Sequence, residues 1–182
     1  MSEIFSRRVF LRGLGIVAAA AALTACSSTN EAVNQALIEG AVGGIVAADC
    51  KIGRSRYWAA NATVPVNEIS FRIVMTNVSS KPVTLSGDNF ATTLDGTPIP
   101  PFNFSARDVG DADIWRTYDS LTIRPGEERS VALAYEISQP TYDSWYSSSR
   151  TVAVSFTCGN QRVTYTKNSR SDEITVSDIE TL

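Results

Sequence analysis

Along residues 68–76 the chain alternates. Ile69, Phe71, Ile73 and Met75 fall on one phase, while Glu68, Ser70, Arg72 and Thr76 fall on the other, joined there by one apolar residue, Val74. An extended strand turns every second side chain to the same side, so such a run lies with one face on a core and the other in water. The same period recurs in Val131, Leu133, Tyr135 and Ile137, and again in Val152, Val154, Phe156 and Cys158. In 46–52 it sets Val46, Ala48, Cys50 and Ile52 on one inward phase. Shorter strands are expected at 57–64, 83–85, 90–94, 121–123, 161–166 and 173–177. Asp95-Gly96, Pro125-Gly126 and Gly159-Asn160 punctuate these runs as turns. Short strands, regular turns and no long helical pattern predict an all-β fold, an antiparallel β-sandwich over 42–182.

The first residues follow different rules. Arg7, Arg8 and Arg12 precede an uncharged, alanine-rich stretch at 13–25. That stretch is shorter than the roughly 20 residues needed to span a bilayer, and it has the layout of a secretory signal. Ser6-Arg7-Arg8-Val9-Phe10-Leu11-Arg12 resembles the twin-arginine export signal, an address read by a receptor. Leu23-Thr24-Ala25-Cys26 resembles the bacterial lipobox, whose cysteine sulfur receives a diacylglyceryl group while the chain is cut just before it. Together the two resemblances imply an exported lipoprotein: signal peptide 1–25, then lipidated Cys26 and a tether over 26–41. The protein would sit outside the cytoplasm, on the cell membrane or on the outer membrane of a cell with two. Stable anchoring takes about two acyl chains, which a diacylated cysteine supplies by itself.

Composition narrows the functions open to the remainder. Loss of residues 1–25 removes Glu3 and the three arginines, taking the formal net charge from −3 to −5. An acidic domain of this kind is a poor nucleic-acid binder. The chain has no histidine, which removes the commonest general base and the commonest metal ligand. No cofactor motif is present, and the expectation is a protein that is not an enzyme. Glycoside chemistry by two carboxylates is the catalytic route left open.

Beyond Cys26 two cysteines remain. Cys50 and Cys158 both fall on the inward phase of their strands, and in an oxidising compartment they are expected to pair as a disulfide. The alternative is two buried thiols packed as small hydrophobes.

The stretch Phe71-Arg72-Ile73-Val74-Met75-Thr76-Asn77-Val78-Ser79-Ser80-Lys81-Pro82-Val83-Thr84-Leu85 is similar to a strand-turn-strand of immunoglobulin-like domains in bacterial lipoproteins. Asp95-Gly96-Thr97-Pro98-Ile99 and Leu121-Thr122-Ile123-Arg124-Pro125-Gly126-Glu127 continue the pattern, so the resemblance covers roughly 68–137. The family is a domain of unknown function in Gram-positive lipoproteins, and it also resembles small secreted mycobacterial antigens. It implies binding or assembly outside the membrane, with an envelope protein as partner, and supplies no catalytic residues.

Three segments are candidate sites. Asp108, Asp111 and Asp113 gather carboxylates that could serve a hard cation such as calcium, although the spacing is not that of an EF-hand and a solvated turn accounts for it as simply. Tyr142, Trp145 and Tyr146 lie in a polar, serine-rich loop between two strands. Exposed, they would contact a protein partner or stack on a cell-wall glycan; folded back, they would cap the open end of the sandwich. Asn61-Ala62-Thr63, Asn77-Val78-Ser79 and Asn103-Phe104-Ser105 match the glycosylation acceptor pattern, and in a bacterial lipoprotein they are expected to stay unmodified.

Overall fold

The computed structural model describes residues 40–57, 63–101, 103–109 and 115–182. Arg7, Arg8 and Cys26, with the tether expected over 26–41 up to residue 39, lie outside the described residues. Strands β1 (Ile45–Tyr57), β2 (Val66–Asn77), β6 (Asn103–Asp108), β7 (Arg116–Thr117) and β9 (Glu128–Glu136) form one sheet, ordered β1-β2-β9-β6-β7. The second sheet is ordered β12-β11-β10-β4-β5. It comprises β4 (Phe90–Leu94), β5 (Thr97–Ile99), β10 (Thr151–Cys158), β11 (Gln161–Asn168) and β12 (Ile174–Val176), and β13 (Glu180–Thr181) also pairs with β11. A ribbon of β3 (Val83–Leu85) and β8 (Leu121–Ile123) closes one end, and a short helix, α1 (Gln139–Asp143), follows β9. Every pairing is antiparallel. The neighbours β1-β2-β9-β6 and β11-β10-β4 reproduce the two-sheet order of an immunoglobulin-type sandwich.

The alternation that predicts the strands also fills the core. Ile69, Phe71, Ile73 and Met75 on β2 are each no more than 2% exposed, and Val152, Val154 and Phe156 on β10 are fully buried. Phe90 on β4 meets Phe71 and Phe104 of the opposite sheet at ring-centroid distances of 6.0 and 6.2 Å, and Phe156 beside it at 5.1 Å. Such tilted ring contacts add to the area they bury.

On β1 the inward phase changes partway. Ile45 and Ala47 are buried, then Ile52 with Cys50 packed against the core, so of the set expected to face inward Val46 and Ala48 are not the buried ones while Cys50 and Ile52 are on the core side. The cause is a bulge between Ala48 and Lys51, where Asp49 adopts φ 49°. One extra residue in a strand reverses the phase of everything after it.

The expected Cys50–Cys158 disulfide is not formed; both thiols are free. The bulge carries Cys50 to the neighbourhood of Tyr165 and Lys167 on β11. Cys158 sits instead at the end of β10, its Sγ 3.7 Å from the Gly43 carbonyl. Tyr165 pairs with Val154, four residues back along β10 from Cys158, a separation of about 13 Å along a strand and too far for a bridge. Desolvation raises the pKa of both thiols, which keeps them protonated.

Residues 40–44 enter at one end of the sandwich, called here the entry end. Gly43 (φ 58°) lies so close to β10 that a Cβ would come within 2.5 Å of Cys158 Sγ. Its neighbour Gly44 accepts a hydrogen bond from Val78 N at 2.9 Å. Asn77 stands beside them, fully buried. Its side-chain amide donates to Lys81 O (2.8 Å) and Ile123 O (2.9 Å), and its carbonyl oxygen accepts from Ser79 N (2.9 Å) and Ser79 Oγ (2.7 Å). Both donors and both acceptor positions are spent, so Asn77 ties β2, the turn after it and β8 into one corner. A buried amide so committed is no acceptor for a glycan. Replacing it by Ala removes all four bonds, leaving Ile123 O and Ser79 N without this partner while Ser79 Oγ and Lys81 O keep each other, and is expected to cost about 1–3 kcal/mol, read as a lower urea midpoint at unchanged slope.

Candidate functional site

The opposite end, away from residues 40–44, gathers the chemistry. There β1 leaves the bulge as Ile52, Arg54 and Arg56 on one phase. Arg54 pairs across the strands with Ile69 and Arg56 with Asn67, both buried, so two arginines occupy inward positions of an edge strand. Inward charges and a bulge are two of the ways in which natural edge strands avoid pairing with another chain.

What receives these arginines is the segment expected as a loop. Ser138 caps α1, accepting from Thr141 N at 3.3 Å, with Pro140 in the first turn. Serine followed by an early proline is a helix-start signal that the sequence carries and that five residues make easy to overlook. The helix and the turn after it send Tyr142, Trp145 and Tyr146 to different tasks. Trp145 is 2% exposed and joins the core, plugging the open end of the sandwich, so it is not part of a contact surface. Tyr142 is partly buried against that core, and Tyr146 is 60% exposed. The expected trio thus divides between core and surface.

Arg54 and Arg56 stack on these rings. The Arg56 guanidinium lies 4.1 Å and that of Arg54 4.3 Å from the centre of the Tyr142 ring, and Arg54 also lies 4.6 Å from that of Tyr146. The result is a ladder, Arg56–Tyr142–Arg54–Tyr146, whose last rung faces solvent. Cation–π contacts of this kind contribute about 0.5–1 kcal/mol each where exposed, and more where desolvated. Hydrogen bonds fix the ladder. Arg54 Nη1 donates to the Tyr142 carbonyl. Arg56 Nε donates to Asn67 Oδ1 at 2.7 Å, and Asn67 passes the contact to Gln139 Oε1 at 3.0 Å. No local pattern joins residue 54 to residue 142, so the sequence gives no signal for this pairing.

Two further arginines close the same end. Arg170 Nε donates to Tyr146 O at 3.0 Å and its Nη2 to Ser147 O. Arg150 Nη1 donates to Asp95 Oδ2 at 2.7 Å, and Thr151 N to Asp95 Oδ1 at 2.8 Å. Asp95 and Gly96, at φ 52° and 80°, make the left-handed turn that joins β4 to β5.

The acidic candidate separates differently. Asp108 is opposite Arg129 on β9 and forms an ion pair with it, while Asp111 and Asp113 lie outside the described residues. Among the described residues no three His, Cys, Asp or Glu side chains group to hold a metal ion.

The Thr151 backbone donor, then Arg150, hold the Asp95 carboxyl below the usual carboxylate range. A depressed carboxylate pKa contributes stability that is present above the unfolded value and lost as pH falls through the folded one. The thermal midpoint of Asp95→Asn is therefore expected to lie below that of the parent at pH 7, with the gap closing as pH falls below about 4. Thermal scans across this range check it; a gap constant with pH would remove Asp95 ionisation from the account.

No family model and no curated protein matches the sequence. Among solved structures the chain is similar in fold to the yjhA protein of Bacillus subtilis, at 15% identity and TM-score 0.40 over 64% of this chain and 74% of that one. It is also similar to an uncharacterized β-sandwich protein of Clostridium difficile 630, at 13% identity and TM-score 0.40 over 73% and 82%. A functionally unknown protein of Listeria monocytogenes follows at 12% identity and TM-score 0.37 over 62% and 66%. This chain is itself an antiparallel β-sandwich by its own sheet order and burial.

Proposed function

We propose that this protein is a non-catalytic lipoprotein that stands outside the cytoplasmic membrane on a diacylated Cys26 and binds an envelope protein through the end of the sandwich bearing Tyr146. The export and anchor part of this reading is supported by the Arg7-Arg8 and Leu23–Cys26 resemblances. No helix among the described residues is long and apolar enough to cross a membrane, so on this reading the lipid carries the attachment. The binding part is supported chiefly by strand direction. Residues 40–44, where the tether would arrive, and Tyr146 with its arginines occupy opposite ends of the sandwich. A chain anchored by its first mature residue would hold the tyrosine–arginine ladder away from the lipid, toward a partner. Tyrosine and arginine are enriched at the energetic centres of protein interfaces. The absence of histidine supports a non-catalytic role.

Two measurements test the two halves. Cys26→Ser is expected to move the protein from the membrane pellet to the soluble fraction, and Arg7→Lys with Arg8→Lys to leave uncut precursor inside the cell. Retention of the Cys26→Ser protein in the pellet would overturn the anchor. A photo-crosslinking amino acid at position 146 of the intact chain is expected to yield a discrete adduct in cells, and the same group at position 81, at the entry end, none. Adducts from 81 alone would reverse the assigned orientation.

A further inference from the structure

The charges at the Tyr146 end are not balanced in the ordinary way. Two carboxylates there are engaged: Asp95 holds Arg150, and Asp143 lies 3.8 Å from Arg56. The other three cations meet no carboxylate among the described residues. Lys167 Nζ donates to Ile52 O at 2.9 Å, Arg54 to Tyr142 O, and Arg170 to Tyr146 O and Ser147 O. Asp172 and Glu173, close to Arg170 in sequence, take part in no ion pair. A carbonyl oxygen fixes where a cation points, but it carries only a partial charge and leaves the full positive charge standing.

The three are also connected. Ile52, whose carbonyl takes Lys167, shares its phase on β1 with Arg54, two residues on. Arg54 lies against the Tyr146 ring, and the Tyr146 carbonyl takes Arg170. Tyr146 thus meets one cation on its ring and another on its carbonyl, both oriented in advance and neither paired with a carboxylate among the described residues, on a chain whose net charge is negative. Pre-oriented donors need little further ordering when an anion arrives, and guanidinium forks match carboxylates in shape. A purely charged polymer would need the cations alone. The exposed ring, held flat by its neighbouring guanidinium, adds the contact area on which protein interfaces rest.

Resting on the binding role given above, we infer that the Lys167–Arg54–Tyr146–Arg170 surface receives an acidic segment of the partner protein, carboxylates on the cations and an apolar or aromatic side chain on Tyr146. The long-range attraction of such a surface speeds encounter and is screened by salt.

Fluorescence anisotropy on the mature protein tests this with three defined probes: a labelled peptide of four glutamates around one phenylalanine, its glutamine counterpart, and polyglycerol phosphate. The glutamate peptide is expected to bind, the glutamine peptide not to, and binding to weaken between ionic strengths of ~0.02 M and ~0.3 M. Arg54→Gln with Arg170→Gln is expected to weaken it about tenfold, and Lys81→Gln, at the entry end, to leave it unchanged. Because Arg54 also braces the plug, Arg170→Gln and Tyr146→Ala alone serve as surface variants, each with its melting curve; both are expected to weaken binding while melting as the parent does. Equal binding of the glutamine peptide, or equal loss with Lys81→Gln, would overturn the inference. So would binding of polyglycerol phosphate with none of the peptide, which would make the surface a site for an anionic polymer. A failed peptide titration alongside a persistent crosslink from position 146 would reject the acidic partner and leave the binding role intact.

Discussion

Phe90 is the residue through which the two sheets hold one another. It projects from β4 into contact with Phe71 and Phe104 of the other sheet while lying against Phe156 of its own. Phe71 in turn reaches Tyr165 on β11, 5.7 Å between ring centres. In many immunoglobulin-type domains a disulfide crosses this interior; here rings cross it instead, and both thiols lie elsewhere. The inward phases of β2, β9, β10 and β11 follow from the need to surround this cluster.

How far the sequence could be read depends on how local each cause was. Ile69 to Met75 and Val152 to Cys158 were legible because burial on a strand repeats every two residues and nothing interrupts it. On β1 the same logic failed at Asp49: a bulge depends on what the neighbouring strand requires, and a residue with φ 49° leaves no mark in the pattern of apolar side chains. The disulfide expectation failed for another reason: Cys50 does pack against the core, but beside Tyr165, four residues along the β10–β11 ladder from Cys158, and phase says nothing of height along a strand. For Trp145 the sequence offered a core role and a surface role, and only the depth of the sandwich mouth chose between them. The pairing of Arg54 with Tyr142 and Tyr146 was not legible at all, because it joins residues on separate elements brought together by the fold.

The end of the molecule that carries Tyr146 shows one group of residues meeting two demands. An edge strand with an open mouth beside it is a hazard, and Arg54 and Arg56 remove it by placing charge where another strand would add. The same arginines need a setting that tolerates charge near a core, and Tyr142 and Tyr146 provide it through their ring faces. Trp145 then seals the mouth behind them. Protection of the edge and presentation of a tyrosine–arginine surface thus draw on the same side chains.

The glycine turn at residues 43 and 44 has a mechanical consequence. It delivers the chain directly onto β1, whose ladder with β2 runs from Ile45 opposite Asn77 to Tyr57 opposite Val66. On the anchored reading proposed above, a pull arriving through residues 40–44 would act along the strand axis, at right angles to the hydrogen bonds of that ladder. Tension between an anchored tether and a load at the far end would be shared by many rungs at once, whereas a hairpin opened from its tip surrenders them singly. With a partner held at Tyr146, the line of force would run the length of the sandwich, in the direction in which a sheet resists most.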